Sequence, residues 1–563
     1  MYQEKTNSLN PRGQQAQSLL QVSTVRSFEG GLNVTDTDLN MSPKYAKVLD
    51  NVERNIDGSL GLRPGTVLLT NHITDTSAII NHTYFAGFVW SVQASGNITT
   101  TDGTGAVIVR SAPSAHWPGG ITFVDFTIFN SDLLIANGKD KPLIVKGDPS
   151  DPNFLVVDFL QDEANGSNIN TPVGKYIIAH ARYTVIAGVP TDPSTIFISQ
   201  RDTSGTYFND PAPNDAVNID LGPRVSLGSA SITGMVAYRD KLLVTFERGV
   251  LPVNLGVYTG TAPAVHTPSD DGFIEEFGCL AHRSLVSVGD DTFFNDNVGV
   301  NAISRVNVFN TLRPVRASHL IDPLITELIQ PLSAAQIDQH VFAVYDLRNF
   351  RYMLFIPTFA ANGTTVTETI CFSYTNIPML KIQAWARLRG WVWQSACRTA
   401  LQNVVFSRGN KLYTYDFDSD FNSDRRNDPT VQGGLGEEVA FDWELPWADF
   451  KHRMDIKHTR YLALDTQGTA AFTAEAYVDN LQTRQGVNTP MLSMQFVGGN
   501  SGGYGNVPYG AAPYGGGRRT QDERLYAWTT KFKLLKLRFF GATREKLRFV
   551  SISVAYVHGG IRR

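Results

Sequence analysis

Cysteine is nearly absent from this 563-residue chain, with only Cys279, Cys371 and Cys397. They stand 92 and 26 residues apart, so neither a C-x-x-C metal half-site nor a disulfide framework is present, and buried free thiols are expected. Charge is also scarce. Charged residues make up 18% of the chain, below the roughly 25% of an ordinary globular protein, which excludes disorder through excess charge. No run of ~18 consecutive apolar residues occurs, and residues 1–20 carry Glu4, Lys5 and Arg12 with no apolar leader segment. The expectation is a soluble protein made in a cytoplasm. The G-x-S-x-G elbow, the P-loop, H-E-x-x-H and a G-x-G-x-x-G after a strand are all missing, which removes the strongest enzyme signatures. No enzyme activity, cofactor or metal is expected.

What charge there is lies unevenly. The formal balance is −4, from 49 Lys and Arg against 53 Asp and Glu, so the whole chain is no basic nucleic-acid binder. Residues 451–563 hold 17 basic and 7 acidic side chains, net +10, which leaves −14 for residues 1–450. The two regions should face different surroundings.

Most apolar residues come in runs of four to eight, rich in Val, Ile, Phe and Tyr and bounded by Gly, Asp, Asn, Pro or Ser, the pattern of strands and turns. The clearest helix runs from about Pro323 to Gln330, where Ile321, Leu324, Ile325 and Leu328 share a face and Pro331 ends the run. It should plug a sheet or cover an edge. Six segments repeat one outline, a polar turn and then a short apolar strand, around Leu134, Val185, Leu243, Phe293, Met353 and Val405, at intervals of 51, 58, 50, 60 and 52. That spacing suits a four-stranded propeller blade with its loops. Each small sheet has two apolar faces, and stacking blades around an axis buries both. The fold class expected is therefore all-β, a propeller-like body of about six blades with a second β-rich domain and few short helices. An array of sandwiches or barrels is the competing reading, since any chain of hairpins repeats apolar runs.

The domain boundaries expected are a tail at 1–22, a β segment at 23–110 belonging to either unit, a propeller body at 111–430 and a basic β-rich domain at 437–563. A Gly-rich stretch at 497–518, with Tyr504, Tyr509 and Tyr514, is too poor in apolar residues to pack. Asp416, Asp418 and Asp420 form a carboxylate ladder, but Phe421 and Asn427 stand where a calcium loop needs Gly and Glu, so a polar interdomain loop is expected and ion binding stays open. His452, Asp455 and His458 would split between two strand faces, which argues against a metal site. Acidic residues such as Asp240, Glu275, Glu276, Asp290, Asp291 and Asp346 sit in turns, where capping accounts for them. Lys531 and Lys533, and Arg544, Lys546 and Arg548, recur at i, i+2 opposite Phe532, Leu534, Leu547 and Phe549, which predicts an exposed basic sheet face for an acidic partner or a phosphate backbone.

Several short motifs occur in a telling order. Phe28-Glu29-Gly30-Gly31-Leu32 is followed by Leu49-Asp50-Asn51 and by Arg63-Pro64-Gly65; Gly30-Gly31 suits a positive φ or a close approach, and Pro64-Gly65 suits a type II turn. Phe277-Gly278-Cys279-Leu280-Ala281-His282-Arg283-Ser284 leads to Phe293-Phe294-Asn295-Asp296-Asn297-Val298-Gly299, where Val298 interrupts an Asn-Gly pair. Ala386 to Trp393 and Gly409 to Asp416 complete the series, with further familiar strands over Lys536 to Arg548 and Val550 to Tyr556. Together these resemble the tail tubular protein B, or tail nozzle, family of short-tailed bacteriophages, related to packaged-DNA stabilisation proteins. The resemblance implies a non-enzymatic virion protein assembled in the host cytoplasm, a homohexameric ring below the portal and its adaptor. That ring would continue the channel for genome ejection, help retain the genome and offer attachment for fibres or spikes. Double-stranded DNA would pass through its lumen without specific binding. An acidic wall suits that task, because each Lys or Arg paired to phosphate adds affinity that resists sliding. The alternative is a propeller that binds or degrades host glycans.

Overall fold

A computed structural model describes residues 20–25, 28, 30–71, 75–102, 105–111, 116–147, 155–160, 171–200, 216–255, 269–270, 272–306, 311–377, 382–416, 422–450, 455–468, 470–479, 490–496, 522–527 and 530–558. The tail at 1–19, the Gly-rich stretch, His452, Asp418 and Asp420 lie outside them. The chain divides into two units. One holds residues 68–371 and 391–415, the other 1–67, 372–390 and 416–563.

The first unit is a propeller. Seven sheets follow one another among its described residues. Blade 1 has the strands Ile79–Phe85, Phe88–Gln93, Ile98–Thr101 and Val107–Ser111; blade 2 starts at Asp125–Phe129, blade 3 at Tyr176–His180, blade 4 at Ile232–Tyr238 and blade 5 at Val286–Val288. Blade 6 begins with Phe342–Asp346 and Arg351–Phe359, and blade 7 with Ser395–Arg398, Val404–Arg408 and Lys411–Tyr415. The outermost strand of blade 7 is Thr66–Asn71, supplied from more than 300 positions upstream. The first strand of each blade lies beside the first strand of the next, and Ser395–Arg398 returns to Ile79–Phe85, so the ring is closed.

Each of the six repeats in the sequence is the hairpin turn and second strand of one of blades 2 to 7. The turns place non-glycine residues at positive φ, as at Asn130 (49°), Arg182 (73°), Arg239 (52°) and Gln402 (64°), which matches the twist of a tight hairpin. Blade 1 uses the same turn with Ala86 at φ 49° and Gly87 at 87°. The expected count of about six thus becomes seven, because Ala86-Gly87 lacks the polar residues that mark the other turns. The apolar faces meet between blades: Trp90, Val92 and Ile98 with Leu133 and Leu143 between blades 1 and 2, and Leu134 with Ile177 and Ile186 between blades 2 and 3.

Two helices lie between blades 5 and 6. The expected one is α1 (Asp322–Ile329), with Ile325 and Ile329 buried; α2 (Ala334–His340) was not anticipated, although Ser333 and Gln336 form a capping box at its start.

The second unit is a sandwich of two sheets. One contains Lys457–Gly468, Leu547–His558, Leu60–Leu62 and Val52–Arg54; the other contains Val48–Asp50, Val439–Glu444, Leu534–Thr543, Phe472–Asp479 and Leu492–Phe496. Trp443 of the second sheet meets Phe549 of the first at 5.1 Å, with Phe539 at 5.0 Å from the indole. The expected boundaries move accordingly. Residues 68–110 belong to the propeller and 20–67 to the sandwich, while 372–390 and 416–430 leave the propeller for the sandwich. The crossing after Tyr415 falls at the polar stretch read as an interdomain loop, whereas local composition carries no mark of the others, because strand pairing over hundreds of positions decides them.

Candidate functional site

The N-terminal motif residues gather in the sandwich, and each has a packing reason. Phe28 is buried edge-on against Trp443, with centroids 4.9 Å apart, and Leu32 is buried beside it in chain order. A Cβ at Gly30 would sit 2.3 Å from the Tyr45 ring. Gly31 has φ +67°, and a Cβ there would lie 2.6 Å from the Trp385 carbonyl oxygen, so both expected reasons for glycine apply. Gly65 is different. Its φ is not positive, and a Cβ would meet the Ser423 carbonyl oxygen at 2.3 Å, so close backbone approach replaces the expected type II turn.

Asn51 and Arg63 form the centre of a polar knot. The Arg63 guanidinium donates to both oxygens of Asp424, at 2.8 and 2.5 Å, and through Nε to Asn51 Oδ1 at 2.8 Å. Pro64, its neighbour in the motif, supplies the carbonyl that accepts from Nη1 at 3.4 Å. Asn51, held at φ 57°, accepts from the Arg389 amide at 2.7 Å and donates to the Ala440 carbonyl at 2.6 Å. Four distant stretches of chain are thereby fastened at one point. Asp424 carried no individual signal in the sequence, where it reads as one more residue of an acidic polar stretch.

The second motif builds a knot inside the propeller. Gly278 passes so close to Glu247 that a Cβ would sit 1.9 Å from its carbonyl oxygen. Cys279 is fully buried, its Sγ donates to the Ala281 carbonyl at 3.2 Å, and burial pushes the thiol up to about 12. A thiol held protonated in this way is a poor nucleophile. Ser284 Oγ donates to the same carbonyl at 2.7 Å and accepts from the Asn295 amide at 3.0 Å. All three cysteines are free and buried.

Arg283 reaches across the ring. It donates to the carbonyls of Gln339 in α2 (3.0 Å) and Gln394 ahead of blade 7 (3.1 Å), and to Asn81 Oδ1 on the inner strand of blade 1 (3.3 Å). Its guanidinium lies 5.2 Å from the Phe342 ring centroid on the inner strand of blade 6. Desolvation lowers it to about 10, so it remains a cation at neutral pH. His282 beside it contacts Asp125 Oδ2 of blade 2 at 2.9 Å and stacks near Tyr176 of blade 3 at 4.6 Å. Lys175 pairs with Asp338 of α2. Five blades and α2 are tied by these side chains, of which the sequence motif contained only His282 and Arg283. The interrupted turn at Val298 is closed by Asp296, whose Oδ1 accepts from the amides of Val298 (2.8 Å) and Gly299 (2.7 Å).

The expected basic face is dispersed. Lys531 lies in the first sheet of the sandwich; Arg544 and Lys546 fall in the connection between the strands Leu534–Thr543 and Leu547–His558. Lys531 and Lys546 are exposed, while Lys533, Arg544 and Arg548 are half-buried. Arg548 pairs with Asp57 and bonds Ser59, and Arg544 bonds Gln432 and approaches Glu438 at 3.9 Å. Acidic side chains from other strands neutralise part of the set, which the i, i+2 spacing could not reveal. Sequence reasoning also passed over Lys536 and Arg538, which pair with Glu444 and Asp442. Asp416 of the carboxylate ladder is engaged by Arg426 at 2.5 Å.

Counted by unit, the propeller has 20 basic and 29 acidic residues and the sandwich 29 and 24. Among the described residues no group of three or more His, Cys, Asp or Glu is placed to hold a metal ion, and no helix is long and apolar enough to cross a membrane.

No family model matches the sequence, and no curated protein matches it. Solved structures similar in fold include the extracellular domain of the putative hybrid two-component system BT3049 from B. thetaiotaomicron, at 9% identity and TM-score 0.39, covering 62% of this chain and 41% of that one. The WD40 β-propeller domain of Doa1 aligns at 11% identity and TM-score 0.33, over 63% of this chain and 98% of the other. Streptogramin B lyase aligns at 10% identity and TM-score 0.33, over 63% and 98%. The all-β, propeller-like assignment rests on the seven sheets and their closed order.

Proposed function

We propose that this chain is a structural virion protein, a tail nozzle component whose copies form a ring-shaped channel for genome ejection and retention. The observation that supports it best is the placement of the motifs that resemble those of that family. Phe28, Gly30, Gly31, Asn51, Arg63 and Gly65 fasten distant strands of the sandwich, and Gly278, Cys279, Arg283 and Ser284 fasten the propeller. These are the duties of residues that hold a structural part in one shape.

Charge supports the same reading. A propeller with nine more acidic than basic residues repels a passing polyanion at short range, within the roughly 8 to 10 Å that salt leaves unscreened. The sandwich carries the excess of cations, and its exposed Lys531 and Lys546 are the proposed contacts for an acidic adaptor. The proposed partners are further copies of this chain, the adaptor, and fibres or spikes.

The test is assembly. Mass measurement of the purified chain, alone and mixed with the other tail proteins of its virion, should give a species near six times 62.0 kDa, and labelled particles should carry it in the tail. A monomer that never assembles, absent from virions, overturns the reading. Release of reducing sugar from host polysaccharide would establish the glycan-degrading alternative instead.

A further inference from the structure

The seam between blades 7 and 1 is built unlike its neighbours. On blade 1, Ser91 pairs with Thr99 and Val89 with Thr101, while His82 stands opposite Ser91 and Tyr84 opposite Val89. Strand alternation therefore sets Tyr84, Val89, Ser91, Gln93, Thr99 and Thr101 on one face. That face looks at blade 7, because Val89 packs with Cys397, Val405 and Leu412 of that blade. The opposite face of the same strands, with Trp90, Val92 and Ile98, packs into an apolar cluster with Leu133 and Leu143 of blade 2, and its buried Thr100 accepts from Arg110 Nε at 3.0 Å.

Across the seam the polar groups are only partly matched. His82 bonds Ser395 Oγ at 2.7 Å and the Val405 carbonyl at 3.0 Å, and Ser395 passes the chain on to Ser407 at 2.6 Å. Beyond these, Ser91 Oγ, both amide atoms of Gln93, Asn97 Oδ1 and Thr101 Oγ1 are buried without a hydrogen-bond partner. Gln93 and Ser91 are 0% exposed and Thr101 1%. Stranded groups of this kind penalise the closed seam and regain partners when water reaches them. Opening an apolar seam has no such return.

We propose that the propeller ring opens reversibly at the seam between blades 7 and 1, admitting water to Ser91, Gln93, Asn97 and Thr101. This seam is the molecule's breathing joint, since it gathers more stranded polar atoms than the seams between blades 2 and 3 or 4 and 5, where Thr184 and Thr292 each leave one hydroxyl unpartnered. Two native probes report on it. Cys397 lies within this seam, whereas Cys279 lies in the seam between blades 4 and 5, packed with Leu243, Phe294 and Ile303. The Ile79 amide donates across the seam to the Gly409 carbonyl at 2.8 Å.

The experiment is pulsed thiol labelling of the full chain under native conditions, read peptide by peptide by mass spectrometry, with amide exchange at Ile79 in parallel. Cys397 should label faster than Cys279. The double variant Gln93→Leu, Thr101→Val removes stranded polar atoms, so it should slow both Cys397 labelling and Ile79 exchange by about tenfold and leave Cys279 unchanged. Equal labelling of the two thiols in the natural chain overturns the proposal, even if the variant fails to fold. A folded variant in which Cys397 labels as fast as before, or faster, overturns it too.

Discussion

Arg63 and Asp424 lie 361 positions apart and form a two-pronged ion pair from which water is excluded, with side-chain exposures of 1% and 6%. A cation in such a place has no solvent to fall back on, and its further bonds go to Asn51 Oδ1 and to the carbonyls of Pro64 and Arg389. The pair therefore fixes how the N-terminal and C-terminal parts of the sandwich meet.

Removing one partner leaves the other charged and buried. Asp424→Asn should destabilise the sandwich by about 3–5 kcal/mol, read as a lower urea midpoint. Arg63→Lys should rescue little, because an ammonium cannot engage both oxygens. A midpoint within error of the natural protein for either variant would show that the pair carries no stability.

Glycine is required where backbone passes backbone. Gly278→Ala would set a methyl group against the Glu247 carbonyl, and Gly31→Ala adds strain at φ +67° to a clash with Trp385. Both variants should yield little soluble protein, whereas Gly363→Ala, whose surroundings are open though its φ is +68°, should cost only about 1 kcal/mol. Comparable soluble expression of all three would contradict this.

Arg283→Met keeps the volume of the side chain but deserts three acceptors, the carbonyls of Gln339 and Gln394 and the Asn81 amide oxygen. The propeller should lose about 3 kcal/mol, with proteolysis first at α2 once its anchor is gone. Calorimetry and limited digestion check the two parts separately.

Acidification should weaken the propeller through its histidines. Burial holds His180 and His340 below the ordinary value of 6.5, with the Arg283 charge adding to the effect at His340. The unfolded chain takes up these protons near 6.5 while the fold resists them, so the unfolded state binds more protons as pH falls below that point. The contribution is complete above 6.5 and is lost on going down. The urea midpoint should be lower at about pH 5.5 than at about pH 7.5, and His180→Phe should flatten part of the slope. A midpoint that rises on acidification would reverse the sign.

Charge reversal tests the partner surface. Lys531→Glu alters an exposed residue, so the thermal midpoint should hold while co-assembly with the proposed acidic adaptor falls. Unchanged assembly would remove Lys531 from the contact.

Much was legible from residues alone because much of a propeller is local. A hairpin needs its turn chemistry and two alternating strands within about a dozen positions, and Asn130, Arg182, Arg239 and Gln402 announce four such turns. Blade 1 escaped because Ala86-Gly87 satisfies the same backbone geometry with no polar flag. The capping box at Ser333 and Gln336 was readable and overlooked. The glycines of the motifs were rightly suspected of close approach or positive φ, yet which backbone each one meets could not be read.

Composition and periodicity by themselves determined that this protein is all-β, that it repeats a blade, that its thiols are buried and that its charge is divided. Only the tertiary structure decided that Thr66–Asn71 completes the last blade, that Asp424 answers Arg63, that Arg283 spans the ring and that Arg548 is claimed by Asp57. The physical reason is range: hairpins follow from neighbours in sequence, whereas a buried cation or an open strand edge is satisfied by whichever distant group the closed fold delivers.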